Sequence, residues 1–346
     1  MNFSKKRKSI QKNSLNFVRT EPMSNLSTIK KPIADEIKAY HKVFRAIIRS
    51  KVPLLDIIMK YILKTKGKEI RPIIVMYSAK MMGEISETTY YAATLIELLH
   101  TATLVHDDVV DESNKRRGLF SINALWKNKI AVLAGDYLLA KGLLLAVETD
   151  NHHLLEFVAK ATRDMSEGEL LQIEKARKLD ISEETYFEII RKKTASLMAS
   201  CFATGASSTI TDRKKIEKLW LVGEFTGIAF QIMDDLLDYR KTSVTGKPSG
   251  MDIKEKKITL PLIYLMNNTA GVNKRKIIRI IKRKNQDAES VTLLINQIRE
   301  SGGIDYARNK MMEYKNKAID LLHEFPDNEA RQALEEIIEF TISRRS

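Results

Sequence analysis

The sequence is poor in the residues that build disulfide-stabilised and all-β proteins. It has one cysteine, Cys201, so no disulfide can form within the chain, and a reducing compartment fits this usage. Glycine (14) and proline (7) are few among 346 residues, and aromatic residues make up 7%. No alternating run of Val, Thr and Tyr bounded by turn residues predicts a strand. Long helices remain the favoured structure.

Long apolar runs are also missing. No uninterrupted apolar stretch reaches the roughly 18–20 residues that span a bilayer, and the start lacks the apolar core of a secretory signal. Residues 1–25 are basic and poor in acid, and we expect them to be a poorly ordered extension; Met23 is an alternative start. We expect a cytoplasmic protein, and the basic start leaves a mitochondrial location open.

What the chain has in excess is positive charge, with a formal net charge of +14. Such a charge fits nucleic acid, an anionic membrane surface or phosphorylated substrates as partners. One concentration is "NKRKIIRIIKRK", residues 273–284, in which pairs of Ile recur among the cations. We interpret it as an amphipathic helix with a solvated basic face rather than a nucleic-acid or lipid site, with at most peripheral membrane contact.

From about residue 30 the apolar residues recur at helical spacing through consecutive segments. Ser86 is placed to cap a helix that runs through "TTYYAATLIELLHTATLVHDDVVD", and residues 123–148 predict a long, mostly buried helix. Neither a repeat nor a linker divides the chain. The sequence predicts one all-α domain, residues 26–346, a bundle of roughly ten or more helices.

Two stretches, "LVHDDVVD" and "FQIMDDLLDY", share the spacing D-D-x-x-D inside apolar sequence. On a helix the first and last members of each motif lie on one face. Buried carboxylates need cations, and clustered oxygen ligands without His or Cys favour Mg²⁺, which usually bridges to phosphate oxygens. The predicted metal ligands are the six carboxylates of the two motifs: Asp107, Asp108, Asp111, Asp234, Asp235 and Asp238.

Basic residues are grouped next to these motifs. Arginine binds phosphate oxygens through two parallel hydrogen bonds, so these cations fit a diphosphate held by Mg²⁺. For any single one a surface cation is the default interpretation, and their grouping favours a role in binding. They are Lys68, Arg71, Arg116, Arg117, Lys193, Lys247 and Lys257.

These motifs together resemble the trans-type isoprenyl diphosphate synthases, within them the long-chain polyprenyl group. The resemblance covers roughly residues 40–345 and rests on "GKEIRP", "LLHTATLVHDDVVDESNKRRG", "AVLAGDYLL", "EGELLQ", "KTASL", "FQIMDDLLDY" and "GKPSGMDIKEKKITLPLIYL". It implies the isoprenoid synthase fold around a central cavity, three Mg²⁺ ions and a homodimer. It also implies condensation of isopentenyl diphosphate with an allylic diphosphate by ionisation, condensation and elimination.

The resemblance also divides the binding residues between the two substrates. For the allylic diphosphate it implies Arg116, Lys193, Lys247 and Lys257, with Gln231 near that site; Thr194 and Gln231 are candidates to steady the carbocation. For isopentenyl diphosphate it implies Lys68, Arg71, His100 and Arg117. Two positions depart from the family pattern. Glu69 replaces a common cation, and Lys256 stands before Lys257, so either lysine is a candidate contact, with Lys257 preferred by its spacing.

Product length depends on the residues just before the first motif. Side chains on a helix lean toward its N-terminus, so Thr103 and Ala102 are expected to line the channel below the metals. Both are small, which predicts a long all-trans product such as a quinone side-chain precursor, with Leu143 or Leu144 as candidate floor residues. The alternatives are a short-chain farnesyl or geranylgeranyl synthase, a class I terpene cyclase, a non-catalytic partner subunit and a basic helical nucleic-acid-binding protein.

Overall fold

The computed structural model describes residues 26–64, 67–116, 118–178, 181–240 and 250–343. The described chain is helical throughout, apart from one short hairpin. Its first helices are α1 Leu26–Lys30, α2 Ala34–Ile47, α3 Pro53–Lys64, α4 Ile70–Met82, α5 Glu87–Val110, α6 Ile122–Glu148, α7 His152–Lys178 and α8 Glu183–Ile190. They are followed by α9 Ser196–Ser207, α10 Arg213–Leu237, α11 Met251–Lys254, α12 Leu260–Asn267, α13 Gly271–Arg283, α14 Ala288–Glu300, α15 Gly303–Leu322 and α16 Glu329–Ile342.

Two clusters of buried apolar residues form the interior, and α10 takes part in both. Its first half, with Leu219 and Val222, packs in the cluster that α2 to α6 and α9 build. Its second half, with Ile228 and Ile232, packs in the cluster of α12 to α15. The all-α architecture is therefore confirmed. The predicted single domain of residues 26–346 stays a prediction, and the predicted N-terminal extension lies outside the described residues.

The helix that carries the first motif begins where the sequence predicts. Ser86 has extended backbone before Glu87, and its backbone nitrogen donates to the Thr89 hydroxyl in a capping box. The helix ends at Val110, with Asp111 at its C-terminal cap. The first aspartate motif thus lies at the end of a 24-residue helix whose other residues are mostly buried or half-buried.

A small hairpin follows this helix, a feature that the sequence pattern did not predict. Strands β1 Lys115–Arg116 and β2 Leu119–Phe120 pair in antiparallel register. Gly118, at the turn, has a φ of +78°, in the left-handed region that favours glycine. The hairpin turns the chain back so that Arg116 points toward the helix it has just left.

Helix α6 differs from its prediction as a mostly buried helix. It is kinked at Lys127, and one of its faces is apolar and exposed: Leu133, Leu143, Leu144 and Val147 keep 55%, 51%, 58% and 65% of their surface accessible. By length and composition alone this helix could span a membrane. Its opposite face, with Ala131, Leu138 and Leu145, is buried in the core.

Candidate active site

Both aspartate motifs line one cleft, which encloses about 2180 Å³ of space including the part open to solvent. It lies between the C-terminal ends of α5 and α10, with α8, α11 and the segment before α9 completing the wall. The residues predicted from sequence that line it are Asp107, Asp111, Arg116, Lys193, Thr194, Gln231, Asp234, Asp235, Asp238 and Lys257. Fold and sequence pattern therefore agree on one site.

In the first motif the middle aspartate has a different environment from the other two. The Arg116 side chain donates from Nε and from a terminal nitrogen to one Asp108 oxygen, both at 2.8 Å, and the Asp108 carboxylate is almost fully buried. Asp107 and Asp111 line the cleft, whereas Asp108 lines a neighbouring cavity. An ion in the cleft would therefore meet Asp107 and Asp111 first.

In the second motif the middle aspartate is the centre of a hydrogen-bond chain. Asp235 accepts from the Tyr186 hydroxyl at 2.7 Å and from the Gln231 amide nitrogen at 2.9 Å. The Thr194 hydroxyl in turn donates to the Gln231 oxygen at 2.8 Å. The chain fixes how Thr194 and Gln231 face the cleft, where the sequence placed them as candidates to steady a carbocation.

The last aspartate of the second motif has a structural role that the spacing did not reveal. Asp238 accepts hydrogen bonds from the backbone nitrogens of Gly250, Met251 and Asp252, at 3.1, 2.9 and 3.1 Å. Gly250, with a φ of +84°, is the N-cap residue immediately before α11. Asp238 thereby anchors the first turn of α11, which carries Asp252 into the cleft, and most of its own hydrogen-bonding capacity is already used.

Lys193 and Thr194 reach the cleft because the chain forms a π-helical turn, Arg191–Ala195, before α9. Two glycines let neighbouring helices approach it. A side chain at Gly168 of α7 would lie 2.7 Å from the Lys193 nitrogen, and one at Gly227 of α10 would lie 2.5 Å from the Ala195 Cα. Lys193 pairs with Glu169 and contacts Gln172 at 3.3 Å, which holds its ammonium at the cleft wall.

Three carboxylates of the cleft have pKa values above their ordinary range, mainly because they are buried. Burial raises the pKa of Asp107 to about 6, that of Asp235 to about 7 and that of Asp252 to about 8. For Asp252 the negative charges of Asp235 and Asp238 add to the rise. Additional positive charge would stabilise the ionised form of these crowded carboxylates, so the donor set fits hard divalent cations such as Mg²⁺.

Among the described residues, no three His, Cys, Asp or Glu side chains are grouped closely enough to hold an ion by themselves. The two motifs instead face one cleft from α5 and α10. This arrangement fits ions that complete their coordination with oxygens of a bound ligand or water, as Mg²⁺ commonly does with phosphates.

A second cavity, with about 820 Å³ of space including the part open to solvent, adjoins the cleft, and Leu104 and Arg116 line both. His100 lines it, and the Arg71 guanidinium contacts His100 Nε2 at 3.0 Å. Aromatic side chains close its far side: Tyr40, Phe44, Tyr61 and Phe120. Lys68 is exposed, with its ammonium 5.5 Å from the centre of the Phe340 ring. Two of the three described residues predicted for the second substrate therefore meet beside the cleft.

The residues at the two departures from the family pattern have different surroundings in the structure. Glu69 contacts His41 Nε2 at 2.9 Å and lies 3.8 Å from the Lys30 ammonium, so its carboxylate has one cationic partner and one imidazole partner at the cavity. Of the neighbouring lysines, Lys257 lines the cleft, whereas Lys256 does not and has a φ of +59°. The structure thus supports the preference for Lys257.

The remaining predicted residues either lie outside the described part of the chain or line neither cavity. Arg117 and Lys247 lie outside the described residues. Neither cavity is lined by Thr103, which donates to the His100 carbonyl at 2.8 Å, or by Ala102, which is fully buried. The candidate floor residues Leu143 and Leu144 are exposed on α6 and close neither cavity from within the chain. The channel along α5 stays a prediction.

Sequence reasoning missed two residues of the cleft. Asp252 stands in the quoted motif "GKPSGMDIKEKK", where only the lysines were considered. The sequence feature that could have indicated it is an aspartate within a segment that already contains predicted binding residues. Tyr186 is buried, and its hydroxyl reaches Asp235 from α8. A tyrosine in "EETYFEII" gave no such signal, because its partner is 49 residues away.

Comparisons with known proteins place this site in a family. The model of the family described as polyprenyl synthetase matches residues 52–298. An all-trans-nonaprenyl-diphosphate synthase (geranyl-diphosphate specific) of Rhodobacter capsulatus is 37% identical over 90% of this chain and 96% of its own length. The octaprenyl diphosphate synthase of Escherichia coli is 32% identical over 92% of this chain and 99% of its own.

Solved structures agree in fold. A decaprenyl diphosphate synthase from Rhodobacter capsulatus superposes with a TM-score of 0.87 at 31% identity, covering 92% of this chain and 98% of the other. A polyprenyl synthase from Caulobacter crescentus, complexed with calcium and isoprenyl diphosphate, superposes with a TM-score of 0.85 at 33% identity, covering 94% and 100%. A geranylgeranyl pyrophosphate synthase from Bacteroides thetaiotaomicron gives 0.78 at 37%, covering 92% and 99%.

Proposed function

The chain belongs to the polyprenyl synthetase family and is a prenyltransferase, and from that premise we propose that it condenses isopentenyl diphosphate with an allylic diphosphate in the cleft between α5 and α10. One observation carries the proposal. Both D-D-x-x-D motifs line the same cleft, together with Lys193, Lys257 and Arg116. Carboxylates that can hold divalent cations, next to positively charged side chains, suit the binding of a diphosphate.

The residues that would hold Mg²⁺ are Asp107 and Asp111 on one wall and Asp234 on the other, with Asp235 and Asp252 behind them. The raised pKa values of Asp107, Asp235 and Asp252 support this assignment, because a cation would offset their crowding. Bound Mg²⁺ would neutralise charge on the diphosphate as it departs. Three ions are the number that the family resemblance implies.

The side chains of the cleft then assist breakage of the allylic C–O bond. Lys193 and Lys257 stabilise the negative charge that develops on the leaving diphosphate, which is electrostatic catalysis at a preorganised site. Glu169 and Gln172 hold the Lys193 ammonium in place before the substrate arrives. The oxygen dipoles of Thr194 and Gln231 face the positive carbon that remains.

The adjoining cavity is suited to isopentenyl diphosphate, since it shares Arg116 and Leu104 with the cleft and is lined by His100, which the Arg71 guanidinium contacts. The double bond of this substrate attacks the allylic carbon, a C–C bond forms, and a proton is then lost. The released diphosphate is the proposed proton acceptor.

The assignment of two pockets is tested by separate Michaelis constants. Arg71→Ala and Lys68→Ala are expected to raise the KM for isopentenyl diphosphate by about tenfold or more, because each removes a charge-assisted contact. Lys193→Ala is expected to raise the KM for the allylic substrate instead. If all three variants change both constants equally, the assignment is wrong.

The function itself is tested by incubating the purified chain with labelled isopentenyl diphosphate and a geranyl or farnesyl diphosphate primer, with Mg²⁺ and with EDTA. We expect labelled polyprenyl products only with Mg²⁺. A terpene cyclase would release hydrocarbon from the primer alone. A non-catalytic subunit would give no product until a partner is added.

We further propose a long all-trans product, a quinone side-chain precursor made in the cytoplasm. On the α5 helix Thr103 is rotated only about 40° from Asp107, whereas Ala102 is about 140° away. Thr103 is also half-buried, so Thr103→Phe should narrow the channel with less overpacking than Ala102→Phe. Chromatography of dephosphorylated products should show a shorter product from Thr103→Phe, with the first condensation retained; an unchanged product would exclude this route.

The exposed apolar face of α6 supports a homodimer. Its members Val132, Leu133, Leu143, Leu144 and Val147 recur at helical spacing on one side. A contiguous apolar surface of this kind is unusual on a monomer, and in a dimer Leu143 and Leu144 would be covered. Light scattering of the wild type should give twice the chain mass, and Leu143→Glu/Val147→Glu should give monomer; a fully active wild-type monomer would refute the proposal.

A further inference from the structure

Helix α13 presents a face made almost entirely of positive charge. Its exposed cations, here called the α13 basic face, are Arg275, Lys276, Arg279, Lys282 and Arg283. The described residues include no ion-pair partner for any of them. No acidic residue occurs in the sequence between Glu255 and Asp287. The charge of this face is therefore not neutralised by the rest of the described chain.

The opposite side of α13 fixes the orientation of this face. Ile277, Ile280 and Ile281 are buried in the apolar cluster that also contains α12 and α14. At about 100° per residue, the five cations fall within an arc of about 120° that points away from those isoleucines. The only other exposed side chain in that arc is Val272. The orientation of the α13 basic face is therefore fixed by the packing of the opposite side of the helix.

Hydrogen bonds connect the end of the helix that carries the α13 basic face to the wall of the cleft. Just after α13, the side-chain amides of Asn285 and Gln286 donate to the Lys254 carbonyl at 2.6 and 3.0 Å. Lys254 ends α11, the helix that carries Asp252. A surface that binds the α13 basic face is thus brought close to the element that borders the cleft.

The sequence alone favoured a solvated face over a lipid site, but the cations share one arc and have no ion-pair partner among the described residues. From this we infer that the α13 basic face binds the surface of an anionic phospholipid bilayer. Clustered lysines and arginines on one helix face are complementary to such a surface, and each contributes to the attraction. The inference rests on the proposed function in one respect: the product is an amphiphile with a long apolar chain, which enters a bilayer more readily than water. Nucleic acid is the less favoured partner, because α13 has no aromatic side chain on which bases could stack.

The test is flotation of the full chain, without substrates, with vesicles of phosphatidylcholine alone or with part of it replaced by phosphatidylserine. The wild type should bind only the anionic vesicles and should dissociate at high salt. Arg275→Gln/Arg279→Gln/Arg283→Gln should reduce partitioning on the order of 100-fold. The matched control is Lys42→Gln/Arg45→Gln/Arg49→Gln, which removes the same charge from the exposed side of α2 and its end and should bind like the wild type.

Several outcomes would overturn the inference: no binding of the wild type to anionic vesicles, equal binding to neutral ones, equal loss in both triple variants, or charge-dependent binding to an oligonucleotide but not to vesicles. Turnover in detergent, measured in parallel, should be the same in the α13 variant and the wild type. A chain that binds anionic vesicles but never condenses isopentenyl diphosphate would refute the proposed function and leave the surface assignment intact.

Discussion

The two D-D-x-x-D motifs have the same spacing, but their carboxylates have different partners. In the first motif the middle aspartate, Asp108, is paired with Arg116, and the outer two face the cleft. In the second motif the middle aspartate, Asp235, stays in the cleft wall on a hydrogen bond from Tyr186. There the last one, Asp238, is held by three backbone amides. Each motif therefore has one carboxylate with a structural role: the middle one, Asp108, in the first motif and the last one, Asp238, in the second.

The difference originates in the segment that follows each helix. After α5 the chain turns back in a hairpin, and this puts Arg116 within reach of Asp108. After α10 the chain returns to begin α11 with its backbone nitrogens facing Asp238, and negative charge is favourable at such a helix N-terminus. The motif determines which carboxylates are present. The segment that follows each helix determines which of these carboxylates can still bind a ligand.

The largest effect is expected from the carboxylates that face the cleft. Asp107→Ala or Asp234→Ala should lower kcat/KM by roughly 10³-fold or more, because each removes a metal ligand beside the leaving group. The measurement is turnover of labelled isopentenyl diphosphate across a Mg²⁺ titration. Asp320→Ala, at an exposed position on α15, is the control and should be active like the wild type. Near-native turnover of either cleft variant at limiting Mg²⁺ would contradict the site.

A smaller effect on turnover is expected from changes to Asp108 and Asp238, the two carboxylates with structural partners. Asp108→Asn and Asp238→Asn should each lower the free energy of unfolding by about 1–3 kcal/mol, because hydrogen bonds to a charged acceptor are weakened. Their turnover should fall by less than about 100-fold, since no metal ligand is lost. Denaturant unfolding and kinetics of the same preparations separate the two effects. A loss of turnover as large as that of Asp107→Ala, with unchanged stability, would make these residues ligands.

The pH dependence of stability should show the acidic crowding of the cleft. Because burial raises the pKa of Asp235 to about 7 and that of Asp252 to about 8, the folded protein binds protons more tightly than the unfolded chain does. In EDTA the contribution of these groups is therefore complete near pH 4 and is lost as pH rises toward 8.

The measurement is the Tm between pH 5 and 8, with EDTA and with Mg²⁺. Stabilisation by Mg²⁺ should grow with pH, because protons compete for the same oxygens. The control is Asp252→Asn, which cannot ionise at this position and should flatten the slope in EDTA. A Tm in EDTA that rises steadily over this range in the wild type, with no change in Asp252→Asn, would contradict the assignment.

Much of this arrangement could be predicted from sequence because it depends on local pattern. Helical periodicity and the Ser86 cap placed α5, and two acidic motifs in apolar sequence predicted a shared metal site. What could not be predicted depends on contacts between distant segments. Tyr186 reaches Asp235, and His41 reaches Glu69, across gaps that no spacing rule covers. The exposure of α6 was missed for a different reason: an apolar helix has the same composition whether it packs inside one chain or against a second.

The most direct test of the account is a crystal structure with Mn²⁺ and an allylic thiodiphosphate that cannot ionise readily, with ions located by anomalous scattering. The account predicts ions in contact with Asp107 and Asp111 on one wall and with Asp234 on the other, all bridged by the diphosphate. Asp108 should stay on Arg116, and Asp238 should stay on the amides of α11. Ions bound by Asp108 or Asp238, or by one motif alone, would contradict it.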